Sequence, residues 1–183
     1  MSSNKFNSCP MCSGRKIEYL NNKKWFCPDC GFDLYNNVAS AVGAIISDSN
    51  GNVLFEVRAK NPRKGFLALP GGFTDQDETA EDAVRRECLE ETGIEISEVK
   101  YLCSFPNDYE YKNISYKTCD LFFEAKVKDE GESIPEIISR LKGQKSEVLD
   151  FCSCRISSVK DVEALPIAFN SSKKALTFWI NQH

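Results

Sequence analysis

The chain has 183 residues, 42% of them hydrophobic, with 23 basic and 27 acidic side chains and a net charge of -4. That length and apolar fraction fit one ordinary globular domain with a small appendage and exclude wholesale disorder. Mild acidity argues against broad adhesion to nucleic acid, which relies on phosphate neutralisation by Lys and Arg, so RNA is a conceivable but not a favoured partner. No run approaches the ~20 apolar residues of a membrane span. MSSNKFNSCP, at the start, has no apolar stretch of the signal-peptide kind, so the expected compartment is the cytoplasm. The single histidine, His183, is the last residue. Acid–base chemistry is thereby left to carboxylates, lysines, tyrosines or metal-bound water.

In chain order, the first signal is a pair of cysteine couples, Cys9-Pro10-Met11-Cys12 and Cys27-Pro28-Asp29-Cys30, with fourteen residues between them. Each couple can wrap two thiolates around one side of a tetrahedral ion, and zinc suits four thiolates at this spacing. Two disulfides or a redox pair are the rival readings; the doubled spacing favours structural zinc. The stretch between them reads as a hairpin turned at Asn21-Asn22, between Tyr19 and Trp25. A segment this small, residues 6–35, buries too little apolar area to fold without the ion. It resembles the zinc ribbon. Such a ribbon can clamp a homodimer, cover an active site or bind nucleic acid through Lys23, Lys24 and Trp25. A solvated turn followed by a packed aromatic is the simpler reading of those three. The other cysteines, Cys88, Cys103, Cys119, Cys152 and Cys154, read as small buried apolar residues. Cys152 and Cys154 would share one face of a strand, which leaves a second metal site open.

After a boundary at Asn36-Asn37, residues 38–183 read as the main domain. VASAVGAIIS predicts a buried strand, DSNGN a turn, and VLFEVRA a second, alternating strand. NPRKGFLALPGG predicts a loop with a short extended piece at Phe66–Leu69. A helix follows and stops at Gly93, a natural C-cap. IEISEVKYLCSF and ISYKTCDLFFEAKV predict strands on either side of a loop PNDYEYKN. PEIISRLK is a short helix or a loop insertion, EVLDFCSCRI a late strand, and SSKKALTFWINQ a helix. The irregular alternation favours an α/β sandwich, a mixed sheet between helices.

Within the first helix, a turn of about 100° per residue sets the faces. Ala83 and Val84 lie within roughly 60° of Ala80 and form an inward stripe. Glu87 and Glu91 continue that stripe within roughly 20°, with Glu90 beside them and Leu89 on the far side. Arg86 can pair with Glu90, four residues on. Converging carboxylates on an inward face, with little basic company, call for hard divalent cations that prefer oxygen ligands.

The spacing Gly72-x5-Glu78-x7-Arg86-Glu87-Cys88-x-Glu90-Glu91-x-Gly93-Ile94 resembles the Nudix box at every fixed position, with Cys88 at an aliphatic place. The likeness extends back to AVGAII and RAKNPRKGFLALPGG, and forward to IAFNSSKKAL, similar to the family's closing helix. The resemblance implies a Nudix α/β/α fold and metal-dependent hydrolysis of a nucleoside diphosphate linked to another group. It implies Mg2+ or Mn2+ held by Glu87, Glu90 and Glu91 with the Gly71 carbonyl, while Glu78 and Arg86 orient the cluster. The general base would be a box glutamate or a carboxylate on a later loop, a position that Glu147 resembles.

A zinc ribbon joined to a Nudix domain is similar to the NADH pyrophosphatases, which cleave dinucleotides and can remove NAD-type caps from RNA. Their SQPWPFP-like array is missing: the corresponding region reads SFPNDY, from Ser104 to Tyr109. The expected substrates are therefore NAD(H), ADP-ribose or a related diphosphate, with RNA-cap or nucleotide housekeeping hydrolysis and a non-catalytic binding protein as alternatives. Tyr109, Tyr111, Tyr116 and Phe66 are candidates to stack on a base, and Arg58 and Lys64 to contact phosphate.

Overall fold

The computed structural model describes residues 6–112, 114–128, 133–143 and 146–183. At the head, β1 (Glu18–Leu20), β2 (Lys24–Phe26) and β3 (Asp33–Tyr35) form a small antiparallel sheet in that order. Asn21 and Asn22 both have positive φ, 53° and 55°, as the turn between β1 and β2 requires. Trp25 is buried between the rings of Phe6 and Tyr19, with centroids at 4.9 and 4.8 Å. Lys24 is bound to Asp33 at 2.6 Å. The third strand was not expected from the sequence. Its three residues are all exposed, so no apolar alternation announces it.

In the main body, β4 (Ala39–Ile46) pairs in parallel with β8 (Ile114–Val127), which pairs antiparallel with β7 (Ile96–Tyr111). A second sheet places β5 (Asn52–Arg58) between β6 (Leu67–Ala68) and β9 (Val148–Arg155), all antiparallel. Both sheets feed two cores. One gathers Val42, Ala44, Leu54 and Phe123 against Ala83, Val84 and Cys88 of α1 (Ala80–Thr92). Ile134 and Ile137 of α2 (Ile134–Ile138) fill the same core. The other gathers Ile45, Val53, Phe55 and Phe122 against Val162 of α3 (Val159–Ala164) and Ala175, Leu176 and Trp179 of α4 (Asn170–Ile180). Strands covered on both faces read as continuous apolar runs, which is why AVGAII carries no alternation. The result is the expected α/β/α sandwich with a mixed sheet.

The helix that bears the acids is specified locally. Thr79 Oγ1 accepts the Asp82 N–H at 3.1 Å, and Glu81 and Asp82 complement the helix dipole. Gly93, at φ 75°, closes the helix by donating its N–H to the Leu89 carbonyl. Ala83, Val84 and Cys88 are fully buried while Leu89 is 48% exposed, so the faces fall as the helical angles predict.

One segment departs from expectation. Residues 106–111 extend β7 instead of forming a loop, with Asp108 opposite Lys117 and Tyr109 opposite Tyr116. The strand lies at a sheet edge, where Pro106 forfeits little for its missing N–H, and the Lys117–Asp108 ion pair spans the hairpin. The last residue of the expected loop, Asn113, lies outside the described residues. The helix at PEIISRLK is short, Ile134–Ile138, starting one residue before that run and taking in only its first four residues.

Candidate active site and cysteine cluster

Two carboxylates of α1, Glu87 and Glu91 but not Glu90, face a cleft of about 440 Å³. Glu87 and Glu91 line it together with Gly71, Gly72, Glu56 and Glu147. The loop after β6 is stitched along β4: Val42 N–H donates to the Gly72 carbonyl and Ala44 N–H to that of Pro70, at 2.8 and 2.9 Å. This brings backbone against the helix, and only glycine allows it. Gly71 has φ 143°, and a Cβ there would stand 2.2 Å from the Val42 carbonyl oxygen. A Cβ on Gly72 would stand 2.7 Å from the Glu87 carboxyl.

Glu91 is buried, and its Oε2 accepts the Gly71 N–H at 2.8 Å. Burial pushes its carboxyl up to about 8 against that hydrogen bond, with the charges of Glu87 and Glu147 adding to the rise. Glu87 is also raised, mainly by burial, with the Arg86 guanidinium opposing. Arg86 works as a clamp. It donates to both oxygens of Glu78 at 2.6 and 3.1 Å, to Glu87 at 2.9 Å and to the Phe73 carbonyl at 3.1 Å. Its contact with Glu90 is longer, 3.5 Å, and that carboxylate is 52% exposed at the edge of the cluster.

The remaining residues singled out from sequence divide into two groups. Arg58 and Tyr109 line the cleft. The Arg58 guanidinium lies 4.9 Å over the Phe169 ring and donates to the Pro62 carbonyl, and Tyr109 sits between Phe73 and Phe169 at 5.4 and 5.8 Å. Glu147 also lines the cleft, with its carboxylate bound to Lys60 at 2.6 Å. Lys64, Phe66 and Tyr116 stand outside the cleft, Phe66 beneath the Arg63 guanidinium. Sequence reasoning passed over Glu56, Lys60, Phe73, Phe169 and Asp120. Asp120 is buried, accepting from Thr118 and Ser171 at 2.6 Å each. A signal for Glu56 did exist. Strand alternation sets it on the same face as Leu54, where an apolar side chain is expected.

At the head of the chain, the four cysteine sulfurs lie within 4.8 Å of one another, Cys9 to Cys30 and Cys12 to Cys27 both at 3.7 Å. A tetrahedron with metal–sulfur bonds of about 2.3 Å has edges of about 3.8 Å. The backbone repeats itself around the two couples. Cys9 N–H donates to the Gly14 carbonyl and Ser13 N–H to that of Cys9; Cys27 and Phe32, then Gly31 and Cys27, do the same. Ser13 and Gly31, at matching places, have φ 61° and 76°. The donor set and its spacing fit a zinc ion. Cys152 and Cys154 belong to no comparable group among the described residues.

The cleft geometry, with a glycine-bound helix of carboxylates beneath a mixed sheet, defines a class already at the level of fold. A NUDIX hydrolase from Nitrosomonas europaea superposes with a TM-score of 0.64 at 23% identity, covering 96% of this chain and 91% of that one. The NUDIX domain of Shewanella oneidensis NrtR complexed with ADP ribose superposes at 0.61 with 21% identity, covering 86% and 94%. The NUDIX domain model matches residues 38–179, and the chain belongs to that family. An ADP-ribose pyrophosphatase of Methanocaldococcus jannaschii is 49% identical over 71 residues, 39% of this chain and 41% of that protein. The NAD-capped RNA hydrolase NudC of Deinococcus radiodurans is 30% identical over 153 residues, 82% of this chain and 48% of that one. The chain thus spans about half the length, or less, of these curated relatives. No described helix is long and apolar enough to cross a membrane.

Proposed function

We propose that the chain hydrolyses the pyrophosphate bond of nucleoside diphosphate-linked compounds of the NAD(H) and ADP-ribose class. One observation carries this reading: Glu87 and Glu91 of α1 and the aromatic set of Phe73, Tyr109 and Phe169 line a single cleft. A diphosphate and an attached planar ring need those two surroundings together. The names of the relatives from M. jannaschii and D. radiodurans support the same substrate class.

Glu87, Glu90 and Glu91, with the Gly71 carbonyl, are the proposed ligands of Mg2+ or Mn2+. The donor set fits: hard oxygens, with Glu91 buried and Glu87 half-buried, and no ion pair on Glu91 among the described residues. Such ions supply Lewis acidity and neutralise phosphate oxygens. Arg86 fixes Glu87 through its shared fork to Glu78. Glu147 is the proposed general base, taking a proton from the attacking water once its carboxylate leaves Lys60. Arg58 contacts phosphate and Tyr109 stacks on a base. The loop that carries Lys64 and Phe66 is assigned no contact. Zinc on Cys9, Cys12, Cys27 and Cys30 is structural, because four thiolates leave it no open position. Residues 6–35 and 38–183 are then two units, the ribbon and the hydrolase.

The test is a panel of dinucleotides, ADP-ribose and NAD-capped RNA with Mg2+ and Mn2+, the products identified by mass. Release of a nucleoside monophosphate from a small dinucleotide supports the proposal. Turnover confined to capped RNA moves the substrate to RNA, and binding without turnover across the panel overturns hydrolysis.

A further inference from the structure

Glu56 has no place in the signature and no evident structural reason to be where it is. It occupies the middle of β5, the central strand of its sheet, opposite Ala68 on one side and Phe151 on the other. Val53 and Phe55 enter the core beneath α4, whereas Leu54 enters the core beneath α1. Two residues past Leu54, Glu56 shares its face. It is 4% exposed, and its Oε1 is buried with no hydrogen-bond partner among the described residues. Its carboxyl shares a hydrogen bond with that of Glu91, so only Oε1 is left over, and the charges of Glu91, Arg58 and Glu87 act on it. Arg58 is engaged with the Phe169 ring and the Pro62 carbonyl.

An apolar residue would complete the stripe begun by Leu54 and remove an unsatisfied oxygen from the interior. The fold gains nothing from an acid at this place. The cleft gains something, since Glu56 lines it beside Glu87 and Glu91 and brings an oxygen from the sheet to meet the helix. Divalent cations of the hard class take six or more oxygens, and a free buried lone pair facing other carboxylates suits such an ion.

The geometry points to Glu56 as a further oxygen ligand of the divalent-cation site, supplied by β5 from outside the signature helix. This rests on the metal-dependent reading of the cleft given above. The experiment is a Mn2+ titration of the 183-residue chain, free ion followed by electron paramagnetic resonance. It compares wild type, Glu56→Gln, Glu56→Asp, Glu56→Leu and Glu91→Gln, each checked for folding by its metal-free melt. A direct ligand predicts at least about tenfold weaker Mn2+ binding in the Gln and Leu variants. The Asp variant keeps the charge and shortens the reach, so it too should weaken binding; a purely electrostatic role would leave it at the wild-type value. The metal-free Leu variant should melt no lower than wild type. Binding within threefold of wild type in the folded Gln variant, or an unchanged Asp variant, overturns the assignment. If Glu91→Gln has meanwhile lost Mn2+, the signature reading survives that failure. A wild type that binds no Mn2+ overturns both.

Discussion

Four cysteine sulfurs at one end of the chain lie within 4.8 Å of one another, whereas no trio of acids among the described residues converges as closely. The thiols come from two tight loops with the same internal hydrogen bonds, each built by six neighbouring residues. The acids come from α1, β5 and the turn before β9, and beyond the Glu56–Glu91 contact they are engaged with other partners: Arg86 takes Glu87, the Gly71 N–H takes Glu91, and Lys60 takes Glu147. The contrast separates two tasks. A site that only holds a fold together gains from ligands preset at bonding distance, and from leaving no position open. A site that must admit a charged substrate gains from ligands whose mutual repulsion is relieved only on loading.

The largest expected effect falls on the cysteine site. Cys27→Ser, or strong chelation, should unfold residues 6–35, since structural zinc sites commonly supply ~10–16 kcal/mol to such segments. In a Trp179→Phe background, Trp25 emission reports on the ribbon and should shift to the red, as that ring is buried between Phe6 and Tyr19. The main body should keep its own cooperative melt. A single transition lost as a whole would break the division into two units. Next comes the carboxylate site. Glu91→Gln should lower turnover more than about a hundredfold with the fold intact, because it removes a proposed ligand and not merely the support of one. Unchanged turnover of a confirmed substrate in both Glu90→Gln and Glu91→Gln would sink the proposed roles.

A smaller effect distinguishes the two sites by pH. In the metal-free protein Glu91 titrates near 8 instead of 4.5, and Glu56 and Glu87 are shifted in the same direction, all chiefly by burial. Native protein therefore keeps protons that the unfolded chain gives up as pH rises from about 4.5, so stability falls with pH over that interval. Denaturant midpoints of the main body should drop between pH 5 and 8 without metal, and Mn2+ should flatten the slope. A midpoint that rises through this interval would contradict the burial of these acids.

Much of this was legible in the sequence because it is local. The end of the helix follows from Gly93, the inward acids from the helical angles counted from Ala80, and the ribbon from the cysteine spacing. What escaped was non-local. Phe73 and Phe169 are 96 residues apart in the chain and meet through Tyr109 on a strand taken for a loop. Lys64 and Phe66 looked suitable by type, yet the chain carries them away from the cleft while Lys60, a few residues earlier, faces it. Glu56 was visible as an acid in an apolar strand, but its meaning depends on Glu91, thirty-five positions later, lying across from it.

The smallest expected effect tests the facing of α1 itself. Leu89 is the most apolar residue in the second half of the helix, and composition alone would place it in the core. The angular argument sends it outward, and it is 48% exposed while its neighbour Cys88 is fully buried. Leu89→Lys should therefore change stability by less than about 0.5 kcal/mol and leave Mn2+ affinity untouched. Cys88→Lys, one step round the helix, should be severely destabilising because it drives an unpaired ammonium into the core shared with Val84 and Leu54. Equal costs for the two substitutions, measured by denaturant titration, would mean that Glu87 and Glu91 do not share the inward face either.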